Sequence, residues 1–265
     1  MRVLSLGWGV QSFTLAAMSA LGKLPRLDAA IHADTGHEMT WTYAFREEWS
    51  PWLAAHGIRV VVCTPVERSR PYLLPKAQGT LLPAYTVGKK KGRLTRQCTR
   101  NWKIEPIVSA IRELIEEYNL KLLPGVIEQW LGISTDEWQR AHDNPRKYIT
   151  NTYPLLDINM SRQDCIVWLK SHGLEVPNKS SCTFCPYHSK AGWSALKHNG
   201  GHDWAEAQEV DTTIRNIKPN YQTYLHQSAL PLDEAIRIRD VPPTQLDLLA
   251  SDDQDAQCDS GACFL

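Results

Sequence analysis

The chain has 265 residues, of which 43% are hydrophobic and 22% charged, and its 29 acidic residues balance 29 basic ones. Such a composition fits one large α/β domain, or a core domain with an appended lobe. The balanced charge excludes net charge as a guide to a partner, and no apolar run approaches the ~20 residues of a membrane span. The opening "MRVLSLGWG" reads as the entry to a strand rather than a cleavable signal, so a cytoplasmic protein is expected.

In chain order, "VLSL" (3–6) predicts a buried parallel strand and "QSFTLAAMSALG" (11–22) a helix stopped by Gly22. "RLDAAIHADTGHE" (26–38) predicts a second strand closing in a polar turn. A helix is expected over 38–56 with a break at Pro51, followed by a β-branched third strand, "IRVVVC" (58–63). This β–α–β–α–β order predicts an α/β fold with an open, mostly parallel sheet and helices on both faces. Residues 65–100 lack periodicity and read as a long functional loop. Within it, "GKKKGR" (88–93) is a dense basic run, either a solvated surface or a contact to phosphate or sulfate, including that of nucleic acid.

"NWKIEPIVSAIRELIEEYN" (101–119) predicts the next helix and "GVIEQWLGIS" (125–134) the next strand. In "SRQDCIVWLKSHG" (161–173), Ser161 is placed as the cap, Asp164 at the capping-box position and Gly173 as the stop. From 174 onward, cysteines, prolines and short helical stretches predict a small C-terminal lobe ending in an acidic linker and a docking tail. The expected division is therefore an α/β nucleotide-binding domain over 1–160 and a helical, cysteine-bearing lobe over 161–265.

The stretch "SLGWGVQS" (5–12) runs from the end of the first strand at Ser5 into the first helix. At the carboxyl edge of a parallel sheet, a glycine turn lets main-chain amides approach an anion, and the helix adds its positive dipole end. The alternative is a tight turn with no ligand. No lysine follows, as a Walker loop requires, and Ser12 stands where the dinucleotide fingerprint needs a third glycine. Asp34, at the end of the second strand, keeps a ribose-binding role open.

The same stretch resembles the pyrophosphate loop, S-G-G-x-D-S, of the PP-loop ATP pyrophosphatases. Gly9, Gln11 and Ser12 fall on its second glycine, acid and final serine, while Gly7, Trp8 and Gln11 depart from its residue types. The G-V-Q-S form resembles the phosphoadenosine-phosphosulfate reductase-like branch, in the phage and bacterial type. "HADTGHE" (32–38) is similar to that family's D-T-G-x-E turn, through Asp34, Thr35, Gly36 and Glu38. "GRLTRQCTRNWKIEPI" (92–107) resembles R-x-C-T-x-x-x-K, through Arg96, Cys98, Thr99 and Lys103. "LGISTDEWQRA" (131–141) is similar to G-I-x-x-x-E-x-x-R, through Gly132, Glu137 and Arg140, and "PNKSSCTFCPYH" (177–188) resembles the family's cysteine pair.

The resemblance implies an adenine nucleotide alpha hydrolase-like fold and an ATP site made by Ser5, Gly7, Trp8, Gly9, Val10, Gln11 and Ser12, with Asp34, Thr35, Gly36, Glu38, Gly132 and Glu137 around it. Arg96, Lys103 and Arg140 are placed to neutralise pyrophosphate or to bind sulfate, against surface ion pairs as the alternative. Asp34 and Glu38 are candidates for the nucleoside side or for Mg²⁺. Trp8 is placed as a base-stacking or lid residue.

Of the seven cysteines, Cys63 and Cys165 read as core residues. Cys182-x-x-Cys185 is a spacing that holds zinc or an iron–sulfur cluster, or serves as a redox dithiol. The expected centre is a [4Fe–4S] cluster on Cys98, Cys182 and Cys185 with Cys258 or Cys263 as the fourth ligand. Zinc with His188 or His198 is the rival. If Cys258 is the ligand, Cys263 is left as a nucleophile or persulfide carrier.

Three functions follow. The first is an ATP pyrophosphatase that adenylates a substrate, with nucleic acid as a candidate, for sulfur transfer from a donor such as a cysteine desulfurase, similar to proteins of DNA phosphorothioation and tRNA thiolation. The second is a reductase of adenylylsulfate or its 3′-phosphorylated form that uses a tail cysteine. The third is a nucleotide-binding component of a modification or defence system without catalysis.

Overall fold

The computed structural model describes residues 1–65, 73, 79–89 and 91–236. Its strands are β1 (Arg2–Ser5), β2 (Ala29–Ala33), β3 (Arg59–Cys63), β4 (Tyr85–Gly88), β5 (Gly92–Arg93), β6 (Ile127–Trp130), β7 (Ile149–Thr152) and β8 (Tyr221–Tyr224). Its α-helices are α1 (Val10–Ala20), α2 (Thr40–Ala55), α3 (Glu105–Glu117), α4 (Pro154–Asp157), α5 (Arg162–Ser171), α6 (Lys190–Asn199), α7 (His202–Arg215) and α8 (Leu232–Ala235). The described residues fall into two compact units, one of 1–65 and 99–181, the other of 73, 79–89, 91–98 and 182–236.

The first unit is built on a five-stranded sheet in the order β3-β2-β1-β6-β7, with every pairing parallel. The chain builds outward from β1 through β2 to β3, then crosses over to lay β6 and β7 on the other side. The carboxyl ends of β1 and β6 therefore flank the topological switch point, where connections diverge and leave a crevice. Helices cover both faces, as expected for a parallel sheet. On one face Val3, Ala29 and Ile31 pack against Ile107, Ile111 and Leu114 of α3. On the other, Leu4 and Leu6 meet Phe13 of α1, Phe45 and Leu53 of α2, and Leu169 of α5.

Four expectations need correction. Pro51 lies inside α2 without breaking it. Proline removes one N–H and crowds the preceding turn, but Trp49, Trp52 and Leu53 pack that turn onto the core, and the Ser50 hydroxyl bonds the Arg46 carbonyl at 2.6 Å. The expected boundary at 160 does not separate the units. α5 belongs to the first, because Cys165 and Leu169 are fully buried in its core beside α1. The stretch read as a long loop contains β4 and β5, and β7 had no strong signal in "ITNT".

The α5 start forms as the sequence predicts. Ser161 Oγ accepts from the Asp164 N–H at 3.1 Å, and Asp164 Oδ2 accepts from the Ser161 N–H at 2.9 Å.

In the second unit β5, β4 and β8 form an antiparallel sheet backed by α6, α7 and α8. Trp193, Phe184, Ala207 and Ile214 are fully buried there. Among the described residues no helix is long and apolar enough to cross a membrane.

Assigning α5 to the first core has a measurable consequence. Leu169→Ala removes a fully buried side chain and is expected to cost about 3 kcal/mol in denaturant unfolding, whereas Val167→Ala, on the exposed side, changes stability by less than about 0.5 kcal/mol. Equal effects would contradict the packing of α5.

Candidate functional site

The turn after β1 sits at the switch point. Trp8 adopts a left-handed backbone conformation, φ 58°, which is unfavourable for a large side chain. Burial offsets that cost. The indole is 1% exposed, and Phe13, His32 and Phe45 surround it with ring centroids 6.2–6.4 Å away. The expected lid or stacking role for Trp8 is therefore corrected: its ring is a buried anchor that fixes the turn from beneath.

Above that anchor, Gly9 caps α1 with no side-chain hydrogen bond, and the first turn carries no acidic residue. The N–H groups of Val10, Gln11 and Ser12 thus form a helix start without a side-chain cap. Their side chains turn inward. The Ser12 hydroxyl bonds the Gly9 carbonyl at 3.2 Å, and Gln11 Nε2 reaches Ser134 Oγ at 3.5 Å, while the buried Gln11 Oε1 has no hydrogen-bond partner. Gly132, just past β6, approaches this start closely. A Cβ there would lie 2.8 Å from the Ser12 nitrogen and 3.2 Å from the Gln11 carbonyl carbon. Only glycine permits this approach, because a Cβ would lie against the face of the Gln11–Ser12 peptide group. Gly7 has room beside it, the nearest atom to a Cβ being Ser180 Oγ at 3.9 Å. Ser5 lies buried below and accepts from Gln129 Nε2 at 2.7 Å.

The carboxyl end of β2 brings up Asp34, Thr35, Gly36 and Glu38. Asp34 accepts from the Gly36 N–H at 2.8 Å, the Tyr43 hydroxyl at 2.9 Å and Arg46 Nη1 at 2.6 Å. Burial pushes its carboxyl up, but the Gly36 amide, Arg46 and Tyr43 outweigh that and hold it below the ordinary carboxylate range. Glu38 is 4% exposed, accepts from Thr35 Oγ1 at 3.3 Å and lies 3.4 Å from Lys103 Nζ. His32, inside β2, bonds the Leu6 carbonyl through Nδ1 at 3.1 Å. Burial lowers its pKa to about 4 against the pull of Glu38 and Asp34, so the ring is neutral.

Lys103 lies on a π-helical turn, Thr99–Ile104, that runs into α3. Such turns widen the backbone and recur at functional sites. Arg140 pairs with Glu137 at 2.6 Å on the short 3₁₀ turn Thr135–Arg140. The first unit therefore carries the glycine turn, Glu38–Lys103, Gly132 and Glu137–Arg140 on the connections that follow β1, β2 and β6 or lead into α3. Tyr43, Arg46, Ser134 and the 179–181 segment were missed in the sequence. That last segment is tied to the start of α2 by Met39 N–H to Ser181 O at 3.0 Å and Trp41 Nε1 to Lys179 O at 3.0 Å. Adjacent serines before the cysteine pair were the only available signal. A groove of about 560 Å³ opens on the α3 face of this sheet, lined in part by Arg100, Gln129, His142, Asn144, Arg146 and Asn151.

The second unit holds Arg96, Cys98, Cys182 and Cys185. Cys182 and Cys185 lie on a compact turn, with the Cys185 N–H bonded to the Cys182 carbonyl and His188 Nε2 3.1 Å from that same carbonyl. Arg96 stands over the Tyr187 ring at 5.1 Å. Among the described residues no three His, Cys, Asp or Glu side chains are grouped to hold a metal ion. Cys98, Cys182 and Cys185 are thus not gathered into a three-thiolate group among the described residues. Cys258 and Cys263 lie outside the described residues. Cys165 is fully buried as expected, but Cys63 is only half-buried. Burial pushes both thiols up to about 12, which keeps them protonated.

His32 makes the fold sensitive to acid. Its folded pKa, about 4, lies below the unfolded value near 6.5, so unfolded chains take up the proton first. Its full contribution is present above pH 6.5 and is lost as pH falls toward 4, amounting to roughly 3 kcal/mol. Asp34, with a depressed pKa, adds a further loss only below about pH 4. Urea unfolding against pH should show that first decline in the native chain and a flatter profile in His32→Asn; identical profiles would contradict a neutral buried ring.

The chain matches no protein-family model and no curated protein. Among solved structures it is similar to phosphoadenylyl-sulfate (PAPS) reductase from Candida auris in a phosphate complex, at 15% identity and a TM-score of 0.45 over 66% of this chain and 74% of that one.

Proposed function

We propose that the first unit binds the polyphosphate of ATP over residues 7–12 and transfers its adenylyl group, as a PP-loop protein of the PAPS reductase-like branch. The observation that carries this reading is the α1 start at the switch point, which has no side-chain cap and is held against the end of β6 by the close approach of Gly132 to the Gln11–Ser12 peptide. A helix start of this kind holds phosphate through its amides and dipole. The five ordered motifs of the sequence support the nucleotide class.

In this reading the amides of Val10, Gln11 and Ser12 orient the phosphate chain. Lys103 and Arg140 supply positive charge where pyrophosphate departs. Both cations stand beside carboxylates, Lys103 at 3.4 Å from Glu38 and Arg140 at 2.6 Å from Glu137. Polyphosphate would compete for them, so the pairs keep the cations in place until substrate arrives. A substrate oxygen attacks the α-phosphorus, the bond to the bridging oxygen breaks, and pyrophosphate leaves. The adenylated oxygen is then a leaving group for sulfide from a sulfur donor, with AMP released. Because the described residues form no three-ligand metal group, no step is assigned to a cluster. Iron and sulfide analysis of anaerobically purified full-length chain tests that centre separately.

A second reading, nucleotide binding without turnover, is favoured by Gln11, whose carboxamide replaces the acid of the family loop and supplies no charge for a metal ion.

Labelled ATP decides between them. Incubation with [α-³²P]ATP, Mg²⁺, a nucleic-acid acceptor and sulfide should yield labelled AMP and pyrophosphate, and Lys103→Ala should slow that by about 10²–10³-fold, the usual effect of losing one charge-stabilising donor. Release of ADP, or saturable binding with no product, would overturn the adenylyl-transfer reading.

A further inference from the structure

The zero net charge of the chain hides a strong local asymmetry. Between residues 68 and 104 there are ten Lys or Arg and no Asp or Glu. Part of this stretch forms the β4–β5 hairpin of the second unit, and strand register shows which side chains share a face. Tyr85 lies opposite Arg93 on β5 and opposite Tyr224 on β8, which puts all three in one cross-strand row. The next row on that face pairs Val87 with Gln222, both exposed. The opposite face carries Thr86 and Thr223, each 4% exposed, and is the packed side. On the other face Tyr224 is itself buried, with the Arg215 guanidinium 5.5 Å from its ring, so the open part of that face is the half-buried Tyr85 with Val87, Gln222 and the basic β5 edge.

Arg93 is held on this face. Its guanidinium stands over the Tyr187 ring at 4.9 Å, and Arg96 stands over the same ring at 5.1 Å. Stacking of this kind fixes the plane of a guanidinium while its N–H groups still reach phosphate oxygens. At the hairpin tip Lys89 and Lys91 are exposed. The buried Asp211 on α7 is paired with Arg215 at 2.5 Å. Val87 is the one large apolar side chain exposed on these described strands, so the face has no apolar wedge with which to enter a bilayer.

We propose that this sheet face docks single-stranded nucleic acid, with Lys89, Lys91 and Arg93 on phosphates and Tyr85 as a stacking surface for a base. Basic tracks with interleaved aromatic rings bind single strands this way. The inference rests on the adenylyl-transfer reading only for the role of the strand as acceptor, and the docking itself requires no ATP.

The test is fluorescence anisotropy of the full chain, without nucleotide, on a labelled 20-base single strand, its duplex and anionic vesicles. The native chain should prefer the single strand. Lys89→Ala/Lys91→Ala should weaken binding about tenfold at low salt and reduce the slope of log K against log salt by about 1.4, two phosphate contacts at ~0.7 each. Lys121→Ala/Lys147→Ala, which removes the same charge from exposed sites in the first unit, should have little effect. Tyr85→Ala should erase the preference for single strand over duplex. No binding, equal loss in both double variants, or preference for duplex or vesicles would overturn the proposal. Loss of adenylyl transfer with docking intact would instead point to failure of the ATP reading alone.

Discussion

The approach of Gly132 to the backbone of Gln11 and Ser12 is the constraint on which the first unit's site depends. It joins the carboxyl ends of β1 and β6, the two strands on either side of the switch point. A side chain at 132 would press on main-chain atoms that cannot rotate away. The start of α1 would have to shift. The buried indole of Trp8 fixes the same turn from the opposite side, at the cost of a left-handed backbone. Between them these two contacts hold a helix start in place whose amides no side chain caps. Stable placement without a built-in partner is the property a phosphate site requires, since binding then costs little rearrangement.

Charge around this turn is arranged in pairs. Asp34 is taken by Tyr43, Arg46 and the Gly36 amide, while Glu38 stands beside Lys103 and Glu137 beside Arg140. Partly buried ions without partners would be costly, so the pairing makes this charge compatible with folding. It also holds long side chains in one geometry. These contacts tie Asp34 to its own turn and to α2. An acid at the end of the second strand was legible in the sequence, but its partners on α2 were not.

The parallel sheet, α1, α3 and the α5 capping box were readable because each has a local cause: β-branched or continuous apolar runs, helical periodicity, and Ser161 with Asp164. β7 was not, because "ITNT" is polar and is held by pairing to β6 rather than by its own pattern. Pro51 misled because tertiary packing by Trp49, Trp52 and Leu53 overrides a local helix breaker. Trp8 misled for a related reason. Its place in a glycine turn suggests exposure, and only the contacts with Phe13, His32 and Phe45 show that the ring points inward. The motifs pointed to Gly132, Lys103 and Arg140, which the structure places on the connections after β6 and before α3. They did not show why glycine is needed at 132, which is a distance between segments 120 residues apart.

The central claim concerns three main-chain amides, and they can be watched directly. In an ¹⁵N-labelled chain titrated with pyrophosphate and then ATP, the account predicts saturable shifts of the Val10, Gln11 and Ser12 amide resonances, abolished in Gly132→Ala while the α3 and α5 resonances keep their positions. Shifts confined to other parts of the chain, or binding undiminished when a side chain is placed at 132, would contradict it.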